Sequence, residues 1–140
     1  STMSASDMRY LLDTNIVSAL VRDPHGDVTE RIRVVGEGNV CTSIIVAAEL
    51  RFGAAKKRID SPARAARICL SALEVLPCEA PADSIYGDVR TQLEQAGQPI
   101  GGNDLLIAAH AIALGCTVVT DNQREFERVS ELRVENWLRA

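Results

Sequence analysis

Apolar residues along this chain come either in short continuous runs or in stretches where they return every three to four positions, the signatures of buried strands and amphipathic helices. Residues 8–12 form such a run, ending at Asp13, and read as a strand. From 14 to 21 Ile16, Val17, Ala19 and Leu20 keep helical spacing, with Thr14 placed to cap, until Asp23-Pro24-His25-Gly26 breaks the pattern. A second helix is expected over 27–35, stopped by Gly36 and Gly38, and a second strand over 39–42. Ser43 then suits the cap of a long helix running through Glu49 to about residue 59. Pro62 opens the next helix, to about residue 73, and 74–78 reads as a third strand. Pro81 opens a helix to about residue 96, and a loop marked by Gly97, Pro99, Gly101 and Gly102 follows. A helix over 103–114, a stop at Gly115 and the β-branched run Thr117-Val118-Val119-Thr120 complete the alternation, with a last short strand at 132–134. Strands separated by helices predict an α/β fold with a central, mainly parallel sheet of four to five strands.

With 140 residues, 46% of them hydrophobic, one domain over 8–140 is expected, and the small polar residues 1–7 read as a leader or an expression remnant. No apolar stretch reaches the length of a membrane span, so a cytoplasmic protein is expected. Cys41, Cys69, Cys78 and Cys116 lie far apart, without zinc-ligand spacing, and read as reduced thiols. The net charge of −4 argues weakly against nucleic acid, but it is uneven. Between residues 51 and 67 six bases (Arg51, Lys56, Lys57, Arg58, Arg64 and Arg67) face one acid, Asp60. Such a run is either a solvated helix face or an edge that tracks phosphates.

Four acids sit where apolar residues belong. Asp13 and Asp121 follow strands, at the carboxyl ends where parallel sheets bind ligands. Glu49 shares a helix stripe with Ile45, Val46, Phe52 and Gly53, and Asp104 opens a helix whose Leu105, Ile107, Ala108 and Ala111 look inward. Gly101 and Gly102 before it would let the backbone approach closely. Each acid alone has an ordinary role, as a cap or an ion-pair partner. Together, inward carboxylates repel unless protonated or bridged by a cation, and oxygen donors without histidine or thiolate favour Mg²⁺ or Mn²⁺. Metal-assisted phosphodiester hydrolysis is the chemistry such a site suits.

Four ordered blocks resemble the PIN-domain ribonucleases of the VapC type: Leu11-Leu12-Asp13-Thr14-Asn15; Thr42-Ser43 with Ala48-Glu49-Leu50-Arg51-Phe52-Gly53-Ala54; Ile100-Gly101-Gly102-Asn103-Asp104-Leu105-Leu106-Ile107-Ala108-Ala109-His110-Ala111; and Val118-Val119-Thr120-Asp121-Asn122 through Glu125-Phe126. The likeness extends over residues 8–137. It implies a three-layer α/β/α sandwich and a Mg²⁺- or Mn²⁺-dependent endoribonuclease, the toxin of a toxin–antitoxin pair. Such a toxin cuts a tRNA or rRNA loop to stop translation. Asp13 and Asp104 would be the main metal ligands, with Glu49 completing the set or orienting water, and Asp121 as the fourth catalytic acid. Thr14, Asn15, Ser43, Asn122 and Glu125 would support them, leaving open which of Asp121, Asn122 and Glu125 faces the metal. The implied partners are a VapB-type antitoxin, a second copy of the chain and the RNA, with DNA met only through the antitoxin.

Arg51, Lys56, Lys57 and Arg58 are the candidate RNA-facing bases. His110, in an alanine-rich helix, and Trp137 read as packing residues. A haloacid-dehalogenase phosphohydrolase is disfavoured because Asn15 stands where its second Asp is required. A receiver domain is disfavoured because the chain lacks paired early acids and has only Lys56 and Lys57 as lysines. The alternative from another class is a PIN-like module that has lost activity and binds RNA or protein, which usually goes with loss of the acids retained here.

Overall fold

The computed structural model describes residues 8–57 and 60–138. Its elements run β1 (Tyr10–Leu12), α1 (Thr14–Arg22), α2 (Asp27–Val35), β2 (Val40–Ser43), α3 (Ile44–Lys56), α4 (Asp60–Ala72), β3 (Glu74–Leu76), α5 (Ala82–Gln95), α6 (Gly102–Leu114), β4 (Thr117–Val119), α7 (Gln123–Phe126) and β5 (Val134–Glu135). The five strands are all parallel, in the order β3-β2-β1-β4-β5. The expected α/β alternation is present, and the last strand lies slightly later than the 132–134 read from the sequence.

The chain builds outward from β1 in one direction to β3, then crosses back to β4 and continues to β5. Right-handed crossovers in opposite directions place their helices on opposite faces, so α1 to α4 cover one face and α5 to α7 the other. Covered on both sides, the central strands carry no polar alternation: Leu11, Leu12, Val118 and Val119 are each 0% exposed. The direction of winding reverses between β1 and β4. A crevice opens beyond the carboxyl ends of these two strands, where Asp13 and the turn after Val119 lie.

Several local expectations change. Asp13, rather than Thr14, caps α1, accepting the Thr14 N–H. Phe52 does not face the core. It is 65% exposed under the Lys56 ammonium, because α3 buries the stripe Val46, Ala47 and Ala54 instead. Within the chain nothing presses on Gly101 or Gly102: a Cβ at either would meet no atom within 4 Å. Gly115, at φ 71°, ends α6 in the left-handed region that favours glycine. Trp137 is buried against Tyr10, and the four cysteines are free thiols. No described helix is long and apolar enough to cross a membrane.

Candidate active site

Asp13 sits at the junction of β1 and α1 and is 3% exposed. Its Oδ1 accepts the Thr14 backbone N–H at 2.8 Å and its Oδ2 accepts the Thr120 hydroxyl at 2.7 Å, so one carboxylate joins the ends of β1 and β4. Burial raises its pKa above the ordinary carboxylate value. The two hydrogen bonds pull it back, and the charge of Glu49 adds to the rise.

Glu49 reaches the same point from α3. Its Oε1 accepts the Thr14 hydroxyl at 2.8 Å. The helix starts where it does because Ser43, the last residue of β2, accepts the Ile45 N–H at 3.0 Å. Behind Ser43 the buried His110 ring places Nδ1 2.9 Å from the serine Oγ, tying α6 to the start of α3. Burial holds this imidazole's pKa below its usual value, only partly offset by the nearby Pro77 carbonyl and Glu79, so it packs as a neutral ring.

Asp104 enters from the first turn of α6. Its Oδ2 accepts Asn122 Nδ2 at 3.0 Å, and the same nitrogen donates to Glu125 Oε2 at 2.8 Å. The Asn122 backbone N–H in turn donates to Thr120 Oγ1 at 2.9 Å. Burial, the hydrogen bond shared with Glu125 and the charges of Asp13 and Glu125 push Asp104 up to about 7, although Asn122 favours its ionised form. Glu125 shifts down, chiefly through that shared bond. Asp104 and Glu125 therefore titrate as a pair, with the more buried Asp104 the harder of the two to ionise.

Asp13, Glu49 and Asp104 line one open cleft of about 400 Å³, with Thr14, Asn15 and Asn122 beside them. Glu125 joins through Asn122, and Ser43 is buried beneath as the α3 cap. Asp121 is not brought in. Its side chain is exposed, Oδ1 accepts Asn136 Nδ2 at 2.9 Å, and its backbone N–H donates to Asn15 Oδ1 at 3.1 Å. Side chains alternate at a strand end, so Thr120 pointing at Asp13 sends Asp121 the other way, and the turn returns Asn122 to the cleft. The cleft is thus lined by Asn122 and not by Asp121, the residue expected as the fourth acid.

Arg51, Lys56 and Lys57 are exposed and line no part of the cleft, and Arg58 lies outside the described residues. Two lining residues escaped the sequence reading: Ser18 and Arg22, one and two helical turns beyond Thr14. Their spacing on α1 was the available signal. A larger, mainly apolar cleft of about 800 Å³ lies on the other flank of α1, between Leu20, Val21, Ile32 and the α4 residues Ile68, Cys69 and Ala72. It gathers no comparable set of carboxylates.

The acidic donor set fits a hard divalent cation. Glu49 raises Asp13, and Asp13 raises Asp104, through charge alone, a repulsion that a cation relieves. Among the described residues no three acidic, histidine or cysteine side chains stand close enough together to hold a metal ion as they are. The carboxylates instead hold Thr120, Thr14 and Asn122.

The parallel sheet and its acidic crevice define a PIN domain: the PIN-domain family model matches residues 10–132, and the chain belongs to that family. Within it the chain stands among the VapC ribonucleases. It is 42% identical over 132 residues to ribonuclease VapC2 of Rickettsia felis, covering 93% of this chain and 98% of that protein. It is 36% identical over 133 residues to the tRNA(fMet)-specific endonuclease VapC of Shigella flexneri, with coverage of 93% and 98%. The structure of VapBC2 from Rickettsia felis bound to a promoter DNA fragment superposes with a TM-score of 0.87 at 40% identity, covering 93% of this chain and 99% of that one.

Proposed function

We propose that this chain is the toxin of a toxin–antitoxin pair, an endoribonuclease that uses Mg²⁺ or Mn²⁺ to cut a loop of tRNA or rRNA in the cytoplasm and so stops translation. The observation that carries the reading is the convergence of Asp13, Glu49 and Asp104 from three elements on one cleft at the reversal of the sheet. The relative from Shigella flexneri makes initiator tRNA the first substrate to try.

In this reading Asp13 and Asp104 would hold the divalent ion, with Glu125 brought toward them by Asn122. When bound, it supplies Lewis-acid polarisation of the phosphodiester and lowers the pKa of water. The chain's own groups do the rest. Thr14 fixes Glu49 so that its carboxylate can take a proton from the attacking water. Thr120 and the Thr14 N–H fix Asp13, and Asn122 holds Asp104 and Glu125 through one amide nitrogen. Ser43 and His110 set the two helices that deliver Glu49 and Asp104.

A VapB-type antitoxin is the proposed partner, together with a second copy of the chain. The apolar cleft with its 62%-exposed Ile68 gives an antitoxin segment an apolar seat, and the acidic cleft attracts its basic side chains. DNA is met through the antitoxin.

The test is purified protein with bacterial tRNA and rRNA, with Mg²⁺ or with EDTA, beside Asp13→Asn, read at single-nucleotide resolution. Discrete cuts that need both the metal and Asp13 support the reading. Intact RNA in every fraction moves the chain to a binding module.

A further inference from the structure

Arg22 is the one cation lining the acidic cleft among the described residues, and its exposed guanidinium forms no ion pair with the acids there. Other arginines of the chain do find carboxylates: Arg9 pairs with Glu74, Arg31 with Glu135, and Arg33 with Glu30. Arg22 closes α1, whose first residues are the Asp13 cap and Thr14. Thr14, Ser18 and Arg22 recur at one turn each and all three line the cleft, so this face of α1 is a polar track leading away from the carboxylates. Arg22 lies roughly 12 Å along the helix axis from Thr14, and helical side chains lean back toward the N-terminus. The guanidinium is thereby carried toward the acids without reaching them.

We infer that Arg22 binds the RNA phosphate next to the one being cut. This rests on the nuclease reading above and adds a specific electrostatic contact to it. A cleft of carboxylates repels a polyanion everywhere except where a cation sits, so a strand laid across it gains attraction at the metal and at Arg22. Those two points fix the strand's direction along α1, with Ser18 between them as a hydroxyl donor. Arg is suited to the task, since its fork engages two phosphate oxygens at once. A basic residue in the last turn of a helix also complements the helix dipole, which accounts for a charge there but not for its lining the cleft.

The experiment compares wild type, Arg22→Gln and Arg22→Lys for binding of fluorescein-labelled bacterial tRNA across a salt series, for cleavage of the same tRNA, and for melting temperature. Arg22→Gln should weaken binding about 5- to 10-fold near physiological salt and reduce the salt slope by about 1, with Arg22→Lys restoring the slope. The cleavage defect should appear in KM rather than in kcat, and melting should stay at the wild-type value because the side chain is exposed. Unchanged affinity and slope in a wild type that cuts RNA overturn the assignment of Arg22 while leaving the nuclease reading intact. A wild type that cuts nothing overturns the nuclease reading itself. Unaltered RNA binding with weakened binding of the antitoxin would give Arg22 to the protein partner and also overturn the proposal.

Discussion

The Thr120 hydroxyl donates to Asp13 Oδ2 at 2.7 Å while its oxygen accepts the Asn122 N–H at 2.9 Å, so a single buried side chain aligns the acid at the end of β1 with the turn after β4. Thr120→Val keeps the shape and removes both bonds. A buried donor and acceptor left unmade cost about 1–3 kcal/mol, so urea denaturation should show a loss of that order. Asp13 should also titrate higher, and cleavage should need more metal. Thr120→Ser, which keeps the hydroxyl, should recover most of both properties. Equal stability of Thr120→Val and wild type would refute this role.

Glu49→Gln tests the proton acceptor. The amide oxygen can still receive the Thr14 hydroxyl, so the helix and the cleft should persist, while kcat falls by about 10²–10⁴. A variant that cuts at the wild-type rate shows that Glu49 takes no proton.

The fourth position is tested by a pair of substitutions. Asp121→Asn can still accept from Asn136 and should leave cleavage within a few-fold of wild type. Asn122→Leu removes the amide that holds both Asp104 and Glu125, and should raise the metal concentration needed for half-maximal cleavage by about 10-fold or more. The reverse ranking would restore Asp121 to the site.

Stability should depend on pH in a direction set by Asp104. Its folded-state pKa of about 7 lies above the ordinary value of 3.8, so the folded chain keeps a proton that the unfolded chain releases. This contribution is present below the unfolded value and is lost as pH rises toward the folded value. Without metal the melting temperature should therefore fall between about pH 4 and about pH 7. Mg²⁺ or Mn²⁺ should recover more of it at the upper end, where no proton competes. Asp104→Asn should flatten the profile and melt higher than wild type without metal, while abolishing cleavage. A wild-type profile that rises through this window contradicts the argument.

The apolar cleft gives a separate prediction. Ile68→Asp places a charge among Leu20, Ile32 and Cys69 and should weaken antitoxin binding by at least about 10-fold in calorimetry, with free toxin still cutting RNA. Undiminished inhibition by antitoxin would place that segment elsewhere.

Much of the site was legible because inward carboxylates violate the apolar pattern of the elements that carry them: Asp13 after Leu11-Leu12, Glu49 one turn beyond Ile45 and Val46, Asp104 ahead of Leu105 and Ile107. The step from Asp121 to Asn122 was not legible, since one residue of turn geometry decides which of two adjacent polar groups returns to the cleft. Phe52 misled because α3 carries apolar residues around most of its circumference, which leaves its buried face to tertiary packing. Arg22 was hidden by its position, a cation at a helix end being ordinary, and only the fold shows that the end of α1 borders the acids.

Asp13 and Thr120 stand 107 positions apart in the chain, and synthesis delivers them in that order. A nascent chain that has exposed Asp13 and Glu49 still lacks Asp104, Thr120 and Asn122, so its cleft has one wall. On the proposed roles of these residues, a ribosome that has released the chain only as far as Glu49 carries no working nuclease, and the cleft is armed only once Asn122 has emerged.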